Sequence, residues 1–164
     1  MMETLQGKTA LITGASSGLG AEFARQLAER GCNLILAARR MERLQELQTE
    51  ISAKHNVCVD SISIDLLAPN ASQQLYDQIK GSGKVVDVLV NNAGLGLYGE
   101  FWTNPWERLH QMLEVDVVAL THLTRLFLPD MLARNSGYIL LIGSTGSFQP
   151  TPFYAAYAAA THHE

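Results

Sequence analysis

The segment "KTALITGASSGLGAEFARQLAERG" (8–31) restricts the fold more than any other. It opens on a short apolar, β-rich run, "KTALITG" (8–14), which reads as a strand. Glycines follow at 14, 18 and 20. The chain then takes up a helical period over 18–31, with Leu19, Phe23, Leu27, Ala24 and Ala28 on one side and Gly31 as the C-terminal cap. A strand that turns into a helix over glycines lets the backbone approach a diphosphate. The free N–H groups and positive end of the helix dipole face the same point. A plain glycine-rich turn is the other reading of these residues; position and spacing together favour the nucleotide site.

The alternation then repeats. Strands are expected at 33–39, 57–66, 85–94 and 137–144. Helices are expected at 41–56 and 70–83, and one long helix at 105–135 with apolar positions 106, 109, 113, 117, 120, 123, 127 and 131. Strands alternating with helices predict a parallel sheet covered on both faces, a doubly wound α/β Rossmann fold. Right-handed crossovers favour the strand order 3-2-1-4-5. No linker, repeat or low-complexity block interrupts the chain, so residues 1–164 read as a single dinucleotide-binding domain.

Composition removes several classes of function. The net charge is −4 and Lys and Arg are scattered, which argues against nucleic acid as a partner. An acid, Glu3, precedes the first basic residue, and no apolar run approaches the length of a membrane span. Cys32 and Cys58 lack metal-ligand spacing and read as buried free thiols in a reducing compartment. The expectation is therefore a cytoplasmic protein with no metal; His162 and His163 are adjacent, face different ways on a helix and have no third ligand nearby. His55, His110 and His122 stand singly and read as surface or rim.

The end of the second strand indicates which dinucleotide. An acid there would bind a ribose 2′-hydroxyl, but the run is Ala37, Ala38, Arg39, Arg40. Two cations without an acid suit a 2′-phosphate, hence NADP over NAD; a solvated basic pair opening the next helix is the alternative. A second glycine run, "GLGLYG" (94–99), matches G-x-G-x-x-G letter for letter. It follows the fourth strand, lacks a downstream ribose acid and does not open a helix, so it reads as a flexible active-site loop.

Taken in order and spacing, "TGASSGLG" (13–20), "NNAG" (91–94), "IGSTG" (142–146) and "YAAYAAA" (154–160) resemble the short-chain dehydrogenase/reductase family. The resemblance covers nearly the whole chain. It implies an NAD(P)-dependent oxidoreductase that interconverts a carbonyl and an alcohol of a small-molecule substrate. By that similarity, Gly14, Ser16, Ser17, Gly18, Leu19 and Gly20 would line the cofactor phosphates and ribose. Arg39 would take the 2′-phosphate, Asp65 and Leu66 would flank the adenine, and Asn92, Ala93 and Gly94 would run past the adenosine ribose. Ser144 would donate a hydrogen bond to the substrate oxygen, and Tyr157, thirteen residues on, would exchange a proton with it. Tyr154 has the wrong offset and reads as packing or pocket wall. The family also commonly pairs through the long helix and the tyrosine helix, which implies a homodimer or homotetramer.

Three features depart from that pattern. Thr161 stands where the family has Lys, and Asp116 stands where it usually has Asn. A free phenol titrates near 10, and a neighbouring cation is what lowers it, so loss of the Lys should hurt alcohol oxidation more than carbonyl reduction. Asp116 lies beside the apolar stripe of its helix; buried and unpaired, it would have a raised pKa. Its family role, largely through a backbone carbonyl and a water, is one an Asp can retain. The third feature is length: the family continues with further strands and helices, so the chain reads as a fragment, or as one whose fifth-strand edge is covered by something else. A cofactor-binding but catalytically silent domain is the competing reading. Trp102, Trp106, Phe148 and Phe153 are readable either as an apolar substrate pocket or as core.

Overall fold

The structure is a computed structural model, and it describes residues 5–162. Its centre is a five-stranded parallel sheet in the order β3-β2-β1-β4-β5. The strands are β1 (Thr9–Thr13), β2 (Asn33–Ala38), β3 (Val59–Ser63), β4 (Val88–Asn91) and β5 (Tyr138–Leu141). Helices α1 (Gly18–Glu29), α2 (Met41–Lys54), α3 (Ala71–Gly81), α4 (Trp106–Leu113), α5 (Leu120–Ala133) and α6 (Ala155–Ala160) complete the fold. The doubly wound α/β expectation and its strand order both hold.

Strand residues alternate between two apolar layers, as a period of two requires. Ala10, Ile12, Leu34, Leu36, Val88 and Val90 pack toward α1 and α2. Leu11, Ile35, Ala37 and Leu89 point the other way, onto Leu75 and Ile79 of α3 and Leu123, Phe127 and Met131 of α5. Gly31 takes a left-handed φ of 80° just beyond α1, which is the cap conformation expected of it.

The expected long helix is divided. Between α4 and α5, Glu114–Ala119 forms a wider, π-helical turn. The extra residue moves the buried stripe by one position: Asp116 and Ala119 are buried, whereas Val117 is exposed and Leu120 only half-buried. Nothing in local periodicity marks such a turn, and such turns often accompany functional sites. Trp106 also departs from the expected stripe and is exposed, as are Trp102, Phe148 and Phe153, so none of the four is core.

Two further expectations are corrected. Cys32 is buried, but Cys58 is exposed, because it precedes β3 at the outer edge of the sheet. Leu19 is 62% exposed and does not share the core of α1, which is built from Gly20, Ala21, Ala24 and Ala28. At the other edge, β5 pairs with β4 alone among the described residues, and Tyr138 and Leu140 are exposed. No helix among the described residues is long and apolar enough to cross a membrane.

Candidate active site

The strand order reverses between β1 and β4, and their C-terminal ends are held together by a compact set of hydrogen bonds. The Thr13 hydroxyl donates to Val90 O at 3.3 Å and accepts from the N–H groups of Asn92 and Ala93 at 3.0 and 3.1 Å. Asn92 Nδ2 donates to Thr13 O at 3.0 Å and to Gly14 O at 3.3 Å. The β1–α1 turn is thereby fixed against the residues that follow β4. Ligands of open α/β sheets bind in the crevice at this switch point.

Glycine is required at this turn for two different reasons. Gly14 has a φ of 65°, and a Cβ there would meet Ala93 Cα at 2.9 Å. Gly20 lies in the first turn of α1, where a Cβ would sit 2.5 Å from both Gly14 O and Asn92 Nδ2. Gly18 differs: its Cβ position looks into open space at a φ of 56°, leaving the helix N-terminus approachable.

A cleft of about 300 Å³ runs from this turn across the ends of β2 and β3. Gly14, Ser16, Ser17, Arg39, Arg40, Asp65 and Leu66 line it, together with Asn92, Ala93 and Gly94. Every sequence-derived cofactor residue except Gly18, Leu19 and Gly20 is in this lining. The arginines divide their work in a way the sequence does not reveal. Arg40 Nη2 donates to Ser16 Oγ at 3.0 Å and to Ser17 Oγ at 2.8 Å, so the cation nearest the glycine turn is Arg40, with Arg39 beside it in the lining. The signal for Arg40 was the dipeptide itself; only the fold shows which guanidinium reaches the serines. Glycines that admit a close approach, a helix N-terminus and two cations suit a dinucleotide carrying an extra phosphate.

A second cavity, of about 210 Å³, adjoins the first through Asn92, Ala93 and Gly94. It is lined further by Leu19, Asp116, Gly143, Tyr157 and Thr161. The exposed Leu19 is thus explained: it points at this cavity instead of the core. Tyr157 is half-buried, on α6, with its ring centroid 5.8 Å from that of Tyr154, which in turn lies 5.2 Å from Tyr98 of the 94–104 loop. Ser144 is not in the cavity lining, although its neighbour Gly143 is. Its Oγ accepts from Gly146 N at 3.2 Å, capping the turn Thr145–Ser147, and this use of the oxygen leaves its hydrogen available to a ligand.

Asp116 is 3% exposed. Its Oδ1 accepts from Leu95 N at 2.7 Å, which ties the glycine-rich 94–99 loop to the wide helical turn. Its Oδ2 is buried with no partner among the described residues. Burial raises the carboxyl to about 6, against the opposing pull of the Leu95 N–H. Thr161, 5% exposed, donates to Tyr157 O at 2.8 Å and pairs with Ser147 Oγ at 2.7 Å. Thr161 therefore presents a neutral, internally bonded hydroxyl. His162 stacks near Phe148, and His163 lies outside the described residues.

A parallel sheet with a glycine turn at its switch point and a cleft across its strand ends is a nucleotide-binding architecture of the doubly wound class. Within that class, the chain belongs to the short chain dehydrogenase family, which matches it over residues 8–162. It is 34% identical over 159 residues to a very-long-chain 3-oxoacyl-CoA reductase of Aspergillus fumigatus, covering 94% of this chain and 46% of that one. The NADPH complex of a short-chain dehydrogenase from Sphingobium yanoikuyae superposes with a TM-score of 0.88 at 32% identity, over 94% of this chain and 60% of that one. L-Sorbose reductase from Gluconobacter frateurii, complexed with NADPH and L-sorbose, gives a TM-score of 0.91 at 31% identity, over 98% and 61% of the respective chains. The chain spans about half the length of the curated relatives it matches.

Proposed function

We propose that the chain acts as an NADP-dependent oxidoreductase that interconverts a carbonyl and an alcohol. The observation that carries this reading is the junction at Asn92–Gly94, where the arginine-lined cleft meets the cavity of Tyr157. The NADPH-bound relatives support it. When bound, the nicotinamide supplies or accepts the hydride. Gly14, Ser16, Ser17, Gly18 and Gly20 would hold the phosphates, and Arg39 and Arg40 the 2′-phosphate. Asp65 and Leu66 would border the adenine. Tyr157 gives its phenolic proton to the substrate oxygen in reduction and takes it back in oxidation. Ser144 steadies that oxygen by donating from Oγ.

The test is a calorimetric comparison of NADPH and NADH binding. The 2′-phosphate makes charge-assisted bonds worth about 1.5–3 kcal/mol, so NADPH should bind roughly tenfold to a hundredfold tighter. Replacing Arg39 and Arg40 together with Ala should remove that preference and leave NADH within about twofold. Equal affinity in the parent chain would remove the basis for choosing NADP.

One observation favours a second reading, a domain that binds cofactor without turnover: Thr161 is neutral, buried and committed to Ser147 and Tyr157. Thr161→Lys decides between the two. If the scaffold is competent, the variant should oxidise alcohols about tenfold faster, since a nearby cation favours the phenolate. A variant that binds NADP and remains inert toward a broad panel of carbonyls and alcohols supports the silent domain.

A further inference from the structure

We propose that Tyr98 is a positioning residue for Tyr157: from the glycine-rich loop that follows β4, its ring grips Phe153 and Tyr154 at the entrance to α6 and, through the Tyr154 ring, fixes where the Tyr157 phenol stands. The inference rests on the reading of Tyr157 as the proton donor. It gives the run "GLGLYG" (94–99) a task beyond bordering the cofactor cleft.

Helix α6 does not place Tyr157 by itself. It has six residues, of which only Ala160 is buried, and its N-cap, Tyr154, makes no capping bond through its side chain. So short a helix is marginal without tertiary support. At its C-terminal end that support comes from Thr161, whose hydroxyl lies 2.7 Å from Ser147 Oγ. At its N-terminal end it comes from the loop. Gly99 N donates to Phe153 O at 3.0 Å. The centroid of the Tyr98 ring lies 5.5 Å from that of Phe153 and 5.2 Å from that of Tyr154, with the planes tilted by 59° and 57°. Aromatic pairs prefer such spacings and inclined orientations. Tyr154 in turn lies 5.8 Å from Tyr157. The rings of Tyr98, Tyr154 and Tyr157 thus form one chain of contacts that ends on the phenol.

The backbone shows why a grip is needed there. Phe153 has a φ of 67°, in the left-handed region, which a bulky residue seldom adopts and which persists only where the surroundings impose it. Released from Gly99 and Tyr98, residue 153 has cheaper conformations, and each of them would redirect α6. The loop is itself anchored well enough to impose this one. At its start, Leu95 N donates to Asp116 Oδ1 at 2.7 Å. At its end, Gly99 has a φ of 143°, and a Cβ there would meet Asn104 Oδ1 at 3.0 Å, so a glycine suits the turn that aims this N–H at Phe153. Tyr98 is 64% exposed. A ring so exposed adds little to the core, and its removal should leave the fold intact.

The test is steady-state reduction of para-nitrobenzaldehyde, an activated carbonyl, by the full chain with NADPH. Tyr98→Ala should lower kcat roughly tenfold to a hundredfold, as misplacement of a reacting group does. The KM for NADPH should stay within about twofold, because Tyr98 is absent from the lining of the cofactor cleft. Tyr98→Phe keeps the ring and should restore kcat to within about twofold of the parent. Parental kcat in Tyr98→Ala overturns the proposal alone. Loss of kcat and NADPH affinity together also overturns it, since that marks general damage to the fold. A parent chain that binds NADPH and reduces neither this aldehyde nor any of a broad carbonyl panel overturns the reductase reading and the positioning role with it. NMR of the chain carrying ring-labelled tyrosine decides without turnover. The parent and Tyr98→Phe should show cross-peaks between the Tyr154 and Tyr157 rings, and Tyr98→Ala should lose them. Cross-peaks of parental strength in Tyr98→Ala overturn the proposal whatever the activity of the parent.

Discussion

Tyr157→Phe is expected to lower carbonyl reduction by about a hundredfold to ten-thousandfold, with NADPH affinity held within about twofold. The expectation follows from what the substitution removes. Tyr157 presents a half-buried phenol to the cavity shared with Leu19, Gly94, Asp116 and Thr161. Among these neighbours only Asp116 carries another acid. Phe keeps the ring and therefore the 5.8 Å contact with Tyr154, so α6 should retain its packing. The lining of the cleft that holds Arg39 and Arg40 does not include Tyr157, which is why binding should survive. Tyr154→Phe is the control. Tyr154 packs against Tyr98 and Tyr157 and is absent from the cavity lining, so its loss of a hydroxyl should leave kcat within a few-fold. Reduction that persists in Tyr157→Phe and disappears in Tyr154→Phe would reassign the proton donor.

Gly20→Ala should produce the second large effect, on folding and cofactor binding together. A methyl at Gly20 would lie 2.5 Å from Gly14 O, a backbone atom that cannot swing aside, and 2.5 Å from Asn92 Nδ2. That amide also donates to Thr13 O and Gly14 O, so displacing it breaks the link between the β1 turn and the end of β4. Overpacking of this kind costs about 1–3 kcal/mol. For a chain of this length that corresponds to a fall in Tm of roughly 2–12 °C. NADPH affinity should fall about tenfold or more, because the diphosphate approach depends on the same crevice. Gly18→Ala separates the two contributions. Its methyl meets open space, so the cost is that of a left-handed backbone, about 1–2 kcal/mol, with no displacement of Asn92. A Gly20→Ala protein with parental Tm and parental affinity would mean that the crevice does not depend on this close packing.

The fold was readable because its signals are local. Strands of period two and helices of period 3.6 leave their marks within a few residues, and the glycines at 14, 18 and 20 announce a turn wherever the rest of the chain lies. The second glycine run follows β4 and no helix begins until Trp106, as its context indicates. The limits appeared where a side chain's role depends on phase or direction. Leu19 reads as core by spacing, yet it is turned outward toward the Tyr157 cavity. Val117 reads as buried, yet the wide turn at Glu114–Ala119 exchanges it for Asp116.

What the sequence by itself determined is the parallel α/β sheet, its strand order and the resemblance to one family, from whose pattern Asp116 and Thr161 depart. Only the tertiary structure decided that Arg40 rests on Ser16 and Ser17, that Thr161 is consumed by Ser147 and the Tyr157 carbonyl, and that Asp116 holds Leu95 while its second oxygen has no partner among the described residues. The reason is the range of the interactions. Secondary structure answers to neighbours three or four residues away, whereas all of these contacts except that of Thr161 with the Tyr157 carbonyl join groups from separate parts of the chain. Burial and hydrogen-bond partners, which set the chemistry of a carboxyl or a hydroxyl, exist only after that assembly.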